Sequence, residues 1–101
     1  MKDIIHNAKN AEMFLKSLAS EHRLKLLCSL STGEKSVTEL MQETGIGQTS
    51  VSQHLAKLKA ENIVTFRREH RTLYYRISST PALSIMEILY NTFCKDTQNE
   101  K

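Results

Sequence analysis

The sequence predicts a mainly α-helical domain with one two-stranded β-hairpin, in the order of four helices, two strands and a last helix. Apolar residues recur at three- and four-residue steps along most of the chain, which is the period of an amphipathic helix. Residues 63–77 depart from this period, because their side chains alternate as they do in strands. The length of 101 residues suits one domain, so we expect residues 1–101 to form a single unit.

Composition narrows the class of protein. The chain has no apolar run of the length that a membrane span needs, and its first residues, MKDIIHNAKN, lack the hydrophobic stretch of a signal peptide. We therefore expect a cytoplasmic protein. Its two cysteines, Cys28 and Cys94, are too few for a secreted disulfide scaffold. The net charge of +3 weakly favours an acidic partner.

The first two helices follow from apolar spacing and from capping residues. Residues 3–18 are predicted as one amphipathic helix. Ser20 is expected to cap the second helix, which turns Leu24, Leu27 and Cys28 inward and ends near Gly33. The apolar residues that give the first helix its spacing are Ile4, Ile5, Ala8, Ala11, Phe14, Leu15 and Leu18.

Residues 36–61 are predicted to form two short helices joined by a tight turn. Ser36 and Glu39 have the spacing of a capping box at the start of the first of them. Gly45 is expected to end that helix, and Gly47 is an acceptable cap for the next. Two short helices with a glycine-containing turn form the helix-turn-helix motif, whose second helix enters the DNA major groove.

The second helix of this motif has an unusual polar side. Val51, Leu55 and Leu58 form its apolar stripe, but the other side carries uncharged hydrogen-bonding groups instead of lysine and glutamate. Such groups both donate hydrogen bonds to base edges and accept them. Alternatively, the serine and threonine cap the helix and Gln53 is an ordinary solvated residue. The candidate base-contacting residues are Gln48, Thr49, Ser50, Ser52, Gln53 and His54.

The predicted hairpin, residues 63–77, directly follows this helix and is basic. Residues 57–76 contain six basic and two acidic side chains, with the bend at Glu69, His70 and Arg71. A basic hairpin in this place is typical of a winged helix-turn-helix, in which the wing contacts phosphates or the minor groove. The alternative is a solvated hairpin whose arginines prevent edge-strand aggregation. The candidate DNA-backbone contacts are Lys57, Arg67, Arg68, His70 and Arg71.

The last helix, residues 81–96, is expected to start at Thr80 as cap and Pro81 as first residue. It has more apolar surface than one edge of a small core needs, and so does the helix within residues 1–18. Both are therefore predicted to form a homodimer interface, which would place two recognition helices about one DNA turn apart. A core closed within one chain, or a groove for another protein, is the alternative. The apolar residues of the last helix are Leu83, Ile85, Met86, Leu89, Tyr90 and Phe93.

The chain contains the segments LASEHRLKLL, SVSQHLAKLK and FRREHRTLYYRI. In these three segments and in the separations between them, it resembles the ArsR/SmtB family of dimeric winged-helix repressors. The resemblance covers residues 15–78. It implies a protein that binds operator DNA with an imperfect inverted repeat and is released by an inducer. The wing tip has His70 where many relatives have glycine, so this position is expected to need a positive φ, which histidine tolerates better than most residues.

The resemblance also bears on what the protein senses. Many relatives bind metals through a cysteine pair before the recognition helix or through histidines on the last helix, but here ELMQE has no cysteine and residues 81–95 have no histidine. We therefore expect no metal and no cofactor. Cys28 and Cys94 resemble the pair of the sulfide- and redox-sensing branch, which implies a switch that links them when a small sulfur compound or oxidant acts. Alternatively, the cysteines are small buried hydrophobic residues.

Other classes of function are weaker matches. The sequence has no phosphate-binding loop, no complete metal-ligand set and little volume for a cleft, so we do not expect an enzyme. A winged helix that binds only another protein stays an alternative, because the fold also serves that purpose.

Overall fold

The computed structural model describes the backbone of residues 2–94 and the side chains of residues 4–93. It confirms a mainly helical chain with a β-hairpin. None of the helices in this part of the chain is long and apolar enough to cross a membrane. In chain order the elements are α1 (Lys2–His6), α2 (Ala8–Leu18), α3 (Glu21–Leu30), β1 (Lys35–Ser36), α4 (Val37–Thr44), α5 (Gln48–Ala60), β2 (Val64–Glu69), β3 (Thr72–Ile77), α6 (Thr80–Leu89) and a π-helical turn (Tyr90–Cys94).

The predicted helix caps are confirmed, with one shift of position. Ser36 accepts a hydrogen bond from the Glu39 backbone N–H, and the Glu39 carboxylate accepts one from the Ser36 N–H, which completes the capping box. Gly45 ends α4 in the left-handed region at φ 76°. The cap of α6 is Ser79 and not Thr80, because the Ser79 hydroxyl accepts from the Ala82 N–H.

Three elements differ from the predicted ones. The last helix, predicted over residues 81–96, is α-helical from Thr80 to Leu89 and continues as the π-helical turn Tyr90–Cys94, and residues 95–96 lie outside the described part of the chain. The first helix is interrupted at Asn7, whose φ of −105° and ψ of 15° are not helical. Its side-chain oxygen accepts a hydrogen bond from Asn10, and such local bonds compete with the helical backbone. In addition, Lys35 and Ser36 form a third strand, so the sheet has three strands in the order β1-β3-β2 with Ser36 opposite Tyr74.

The core lies between α3, α4, α5, α6 and the inner ends of the hairpin strands. The predicted stripe of α5 is confirmed, since Val51, Leu55 and Leu58 are fully buried. Leu24 and Cys28, predicted to point inward, are only half-buried, whereas Leu27 is fully buried. Because the apolar side of α5 packs on the core, its polar side faces outward.

The terminal helices leave large apolar side chains exposed. Isolated exposed apolar residues are common on protein surfaces, but these belong to helices at the two ends of the chain. These exposed side chains are together called the terminal apolar face below. Its members are Ile4, Ile5, Met13, Leu15, Ile88 and Phe93.

Candidate nucleic-acid interface

The outer side of α5 presents four of the six predicted base-contacting side chains to solvent. Gln48, Thr49, Ser52 and Gln53 are exposed on the first two turns of the helix. The N-cap is Gly47, so no serine or threonine of this run occupies the capping position. The four side chains therefore form an uncharged surface that can exchange hydrogen bonds with base edges.

Ser50 and His54 lie on the flank of α5 that faces α3. Ser50 Oγ is 3.3 Å from His22 Nδ1, and Arg23 Nε donates to His54 Nδ1 at 3.4 Å. The rings of His22 and His54 meet edge to face with centroids 5.7 Å apart. Burial and then the positive charge of Arg23 lower the pKa of His54. Both side chains thus have partners within the protein.

Arg23 is a functional candidate that the sequence did not reveal. Its side chain is only 12% exposed. Nη1 donates to the Ser17 carbonyl oxygen at 2.7 Å and lies 3.3 Å from Glu61 Oε1. Together with the bond to His54, these contacts join the end of α2 to the middle of α5 and to Glu61, the residue that follows α5. The partners His54 and Glu61 are 31 and 38 positions away in sequence, so no local spacing could indicate the contacts.

Arg67, predicted to contact the DNA backbone, is exposed and pairs with two carboxylates. Its guanidinium donates to Glu34 at 2.8 Å and to Glu69 at 3.0 Å, and its Cζ lies 4.9 Å from the centre of the Tyr74 ring. These hydrogen bonds raise the pKa of Arg67. Two carboxylates already neutralise this arginine, so it has less charge to offer a phosphate.

The tip of the wing is cationic and exposed. Arg68, His70 and Arg71 are all exposed, and neither arginine forms an ion pair with another described residue. His70 has φ 59°, which confirms the positive value expected at the bend. Side chains in this position are free to reach phosphates that flank a groove.

The wing packs against the last turn of α5. Lys59 Nζ in the last turn of α5 lies 5.2 Å from the centre of the Phe66 ring on β2. Phe66 in turn packs edge to face on Tyr75 of β3 at 5.3 Å, where burial raises the pKa of the tyrosine. Lys57, the remaining predicted backbone contact, is exposed in the same last turn.

The described part of the predicted cysteine switch lies away from this surface. Cys28 is half-buried in the wall of a cavity of about 630 Å³. The lining is largely apolar and includes Leu24, Met86, Leu89 and Phe93. Cys94 ends the π-helical turn, and its side chain lies outside the described residues. Within residues 4–93, no group of three or more His, Cys, Asp and Glu side chains gathers as a metal site would.

A helix-turn-helix joined to an antiparallel hairpin defines the protein class, which is that of winged helix-turn-helix DNA-binding regulators. The chain belongs to the arsR family of bacterial regulatory proteins, whose sequence model matches residues 20–65. It is 36% identical over 98 residues to the transcriptional activator HlyU of Vibrio cholerae serotype O1. The aligned residues cover 97% of this chain and 91% of HlyU. Because this family consists of regulators, the prediction that the chain is not an enzyme is confirmed.

Solved structures of relatives have the same fold. The transcriptional repressor BigR of Xylella fastidiosa superposes with a TM-score of 0.84 at 39% identity, over 92% of this chain and 95% of BigR. A possible ArsR-family regulator of Mycobacterium bovis, described as a homodimeric winged helix-turn-helix DNA-binding domain, has a TM-score of 0.73 at 26% identity, over 94% of this chain and 88% of that one. These likenesses confirm the predicted fold class and the resemblance to the family.

Proposed function

We propose that this regulator is a homodimeric repressor that places α5 in the major groove of an inverted-repeat operator and the wing tip on the adjacent backbone. One observation carries the proposal: α5 exposes four uncharged side chains, and the wing that packs against its last turn exposes Arg68 and Arg71. Gln48, Thr49, Ser52 and Gln53 would read bases, and Lys57, Arg68, His70 and Arg71 would bind phosphates. Bacterial DNA lies in the cytoplasm, so the protein would act there.

The homodimer follows from the terminal apolar face. Six large apolar side chains on α1, α2, α6 and the π-helical turn are exposed in one chain, and a second copy of the same chain would cover them. The homodimeric neighbour from Mycobacterium bovis supports this assembly. A two-fold dimer would present its recognition helices to two half-sites about one helical turn apart.

Binding of duplex DNA and its salt dependence test the proposed function. We expect Arg71→Ala to weaken binding to every sequence and to reduce the slope of log affinity against log salt by about one for each subunit, or about two for the dimer, because each wing loses one phosphate contact. The measurement is fluorescence anisotropy with a duplex selected from a random-sequence library, over about 50 to 200 mM salt.

Lys9→Ala is the matched control, since it removes an exposed cation from α2, far from the wing in sequence. It should leave the salt slope unchanged. A wild-type protein that binds no duplex at low ionic strength would contradict the proposed function and favour a winged helix that binds only another protein.

We also propose that the inducer acts by linking Cys28 to Cys94. Phe93, the neighbour of Cys94 in the chain, lines the cavity whose wall contains Cys28, and this supports the pairing. Two thiols and one hydrogen peroxide would give a disulfide and two waters; two thiols and one persulfide would give a disulfide, a thiol and hydrogen sulfide. The link would tie α3 to the dimerisation helix α6 and shift the spacing of the two recognition helices.

The thiol switch has its own test. Treatment with a persulfide donor or with peroxide should join Cys28 to Cys94, detected by mass spectrometry, and should lower DNA affinity about 5- to 150-fold, the usual range for coupled sites. Cys28→Ser and Cys94→Ser should each abolish the loss of affinity. If neither reagent forms the link, or if Cys28→Ser is still released from DNA, the cysteines are structural residues of a regulator that has no thiol switch.

A further inference from the structure

We infer that Arg23 is a positioning residue for DNA recognition, which holds α5 at a fixed angle to α2 by donating to an uncharged His54 and to the Ser17 carbonyl. The inference rests on the proposed function, because it concerns how the recognition helix is oriented and not whether it binds DNA. Ser50 and His54, which the sequence predicts as base contacts, instead link α5 to His22 and Arg23 of α3.

The geometry around Arg23 fits a clamp between two elements. Its guanidinium is mostly buried and donates in two directions, from Nη1 to the last turn of α2 and from Nε to His54 on the second turn of α5. Glu61, which follows α5, balances the charge at 3.3 Å. A planar fork with donors in fixed directions sets an angle between its partners, which a lysine ammonium does not do.

The contact needs His54 in one protonation state. Because Arg23 Nε donates to Nδ1, that nitrogen carries no proton, so the neutral ring has its proton on Nε2. The titratable or charged groups around the ring are His22 and Arg23 on α3, Lys57 on its own helix and Glu61, reached through Arg23. Protonation of Nδ1 would remove the acceptor and set an imidazolium against a guanidinium.

The sign of the pH effect follows from this state. Burial and the nearby cations lower the pKa of His54, so the ring is neutral at pH 7 and the clamp is intact. As the pH falls through this lowered pKa, the clamp opens and affinity for the specific duplex should fall. If His54 instead faced the DNA, the added positive charge would raise affinity at low pH, so the two roles predict opposite signs.

The experiment uses the full chain, a duplex selected from a random-sequence library and a scrambled duplex of equal length. Arg23→Lys keeps the charge and loses the fork, so it should bind the selected duplex about tenfold more weakly and the scrambled duplex as the wild type does. His54→Asn places an oxygen acceptor near the Nδ1 position and does not titrate. Between about pH 7.5 and 5.5, the wild type should lose more affinity for the selected duplex than His54→Asn does.

Each outcome decides one claim. Equal affinity of Arg23→Lys and wild type for the selected duplex would overturn the positioning role, and so would a wild type whose affinity rises at low pH relative to His54→Asn. The pH comparison does not require the arginine variant to fold. A wild type that enriches no duplex would overturn both the proposed function and this inference. If the wild type does bind a selected duplex, the variants test the positioning role of Arg23 alone.

Discussion

Leu55→Ala should lower the free energy of unfolding by about 2–5 kcal/mol, the usual cost of truncating a buried leucine. Leu55 is 0% exposed and lies in the middle of the α5 stripe, where it packs into the core. The loss combines the transfer free energy of the removed atoms with the cost of the cavity that they leave. Urea unfolding followed by circular dichroism measures it at a fixed protein concentration, because a dimer's stability depends on concentration.

The control for this prediction lies on the same helix. Gln53 is exposed, so Gln53→Ala should change stability by no more than about 0.5 kcal/mol. If Leu55→Ala were as stable as the wild type, the packing of α5 against the core would be wrong, and the outward orientation of its polar side would lose its basis.

Gln53→Ala should act on sequence discrimination. We expect the difference in binding free energy between the selected duplex and a duplex with one altered base pair to shrink by about 1–3 kcal/mol at the position that Gln53 contacts. The reason is that a side-chain amide can pair with a base edge, whereas alanine offers only a methyl group. Competition binding against the full set of single-base-pair variants measures the effect.

Arg71→Ala is the matched variant for this measurement. It should weaken all duplexes in proportion and leave their order unchanged, because a phosphate contact carries no sequence information. If Gln53→Ala weakened every duplex equally while Arg71→Ala altered the preferred sequence, the roles of α5 and the wing would be exchanged.

The sequence was sufficient for elements that depend on neighbouring residues. Ser36 and Glu39, three positions apart, predict their capping box, and the three- and four-residue spacing of Val51, Leu55 and Leu58 predicts the buried side of α5. The positive φ of His70 was expected by comparison with glycine in related wings. Each of these features depends on residues that are close to one another in the sequence.

The features that were not predicted depend on distant residues. Strand β1 has only two residues, Lys35 and Ser36, and forms because β3 offers a free edge 38 positions later, at Tyr74. The pairing of Arg67 with Glu34 joins residues 33 positions apart. No periodicity in one segment indicates such contacts, so the neutralisation of Arg67 and the clamp at Arg23 had to come from the structure.

Ser36 belongs to two structural units at once. It is the last residue of β1, where it stands opposite Tyr74 of β3, and its side chain is the cap from which α4 begins. The chain therefore passes directly from a strand that pairs with the hairpin into the first helix of the helix-turn-helix. A displacement of the wing would reach the start of α4 through the pairing of β1 with β3, so the two parts should move together.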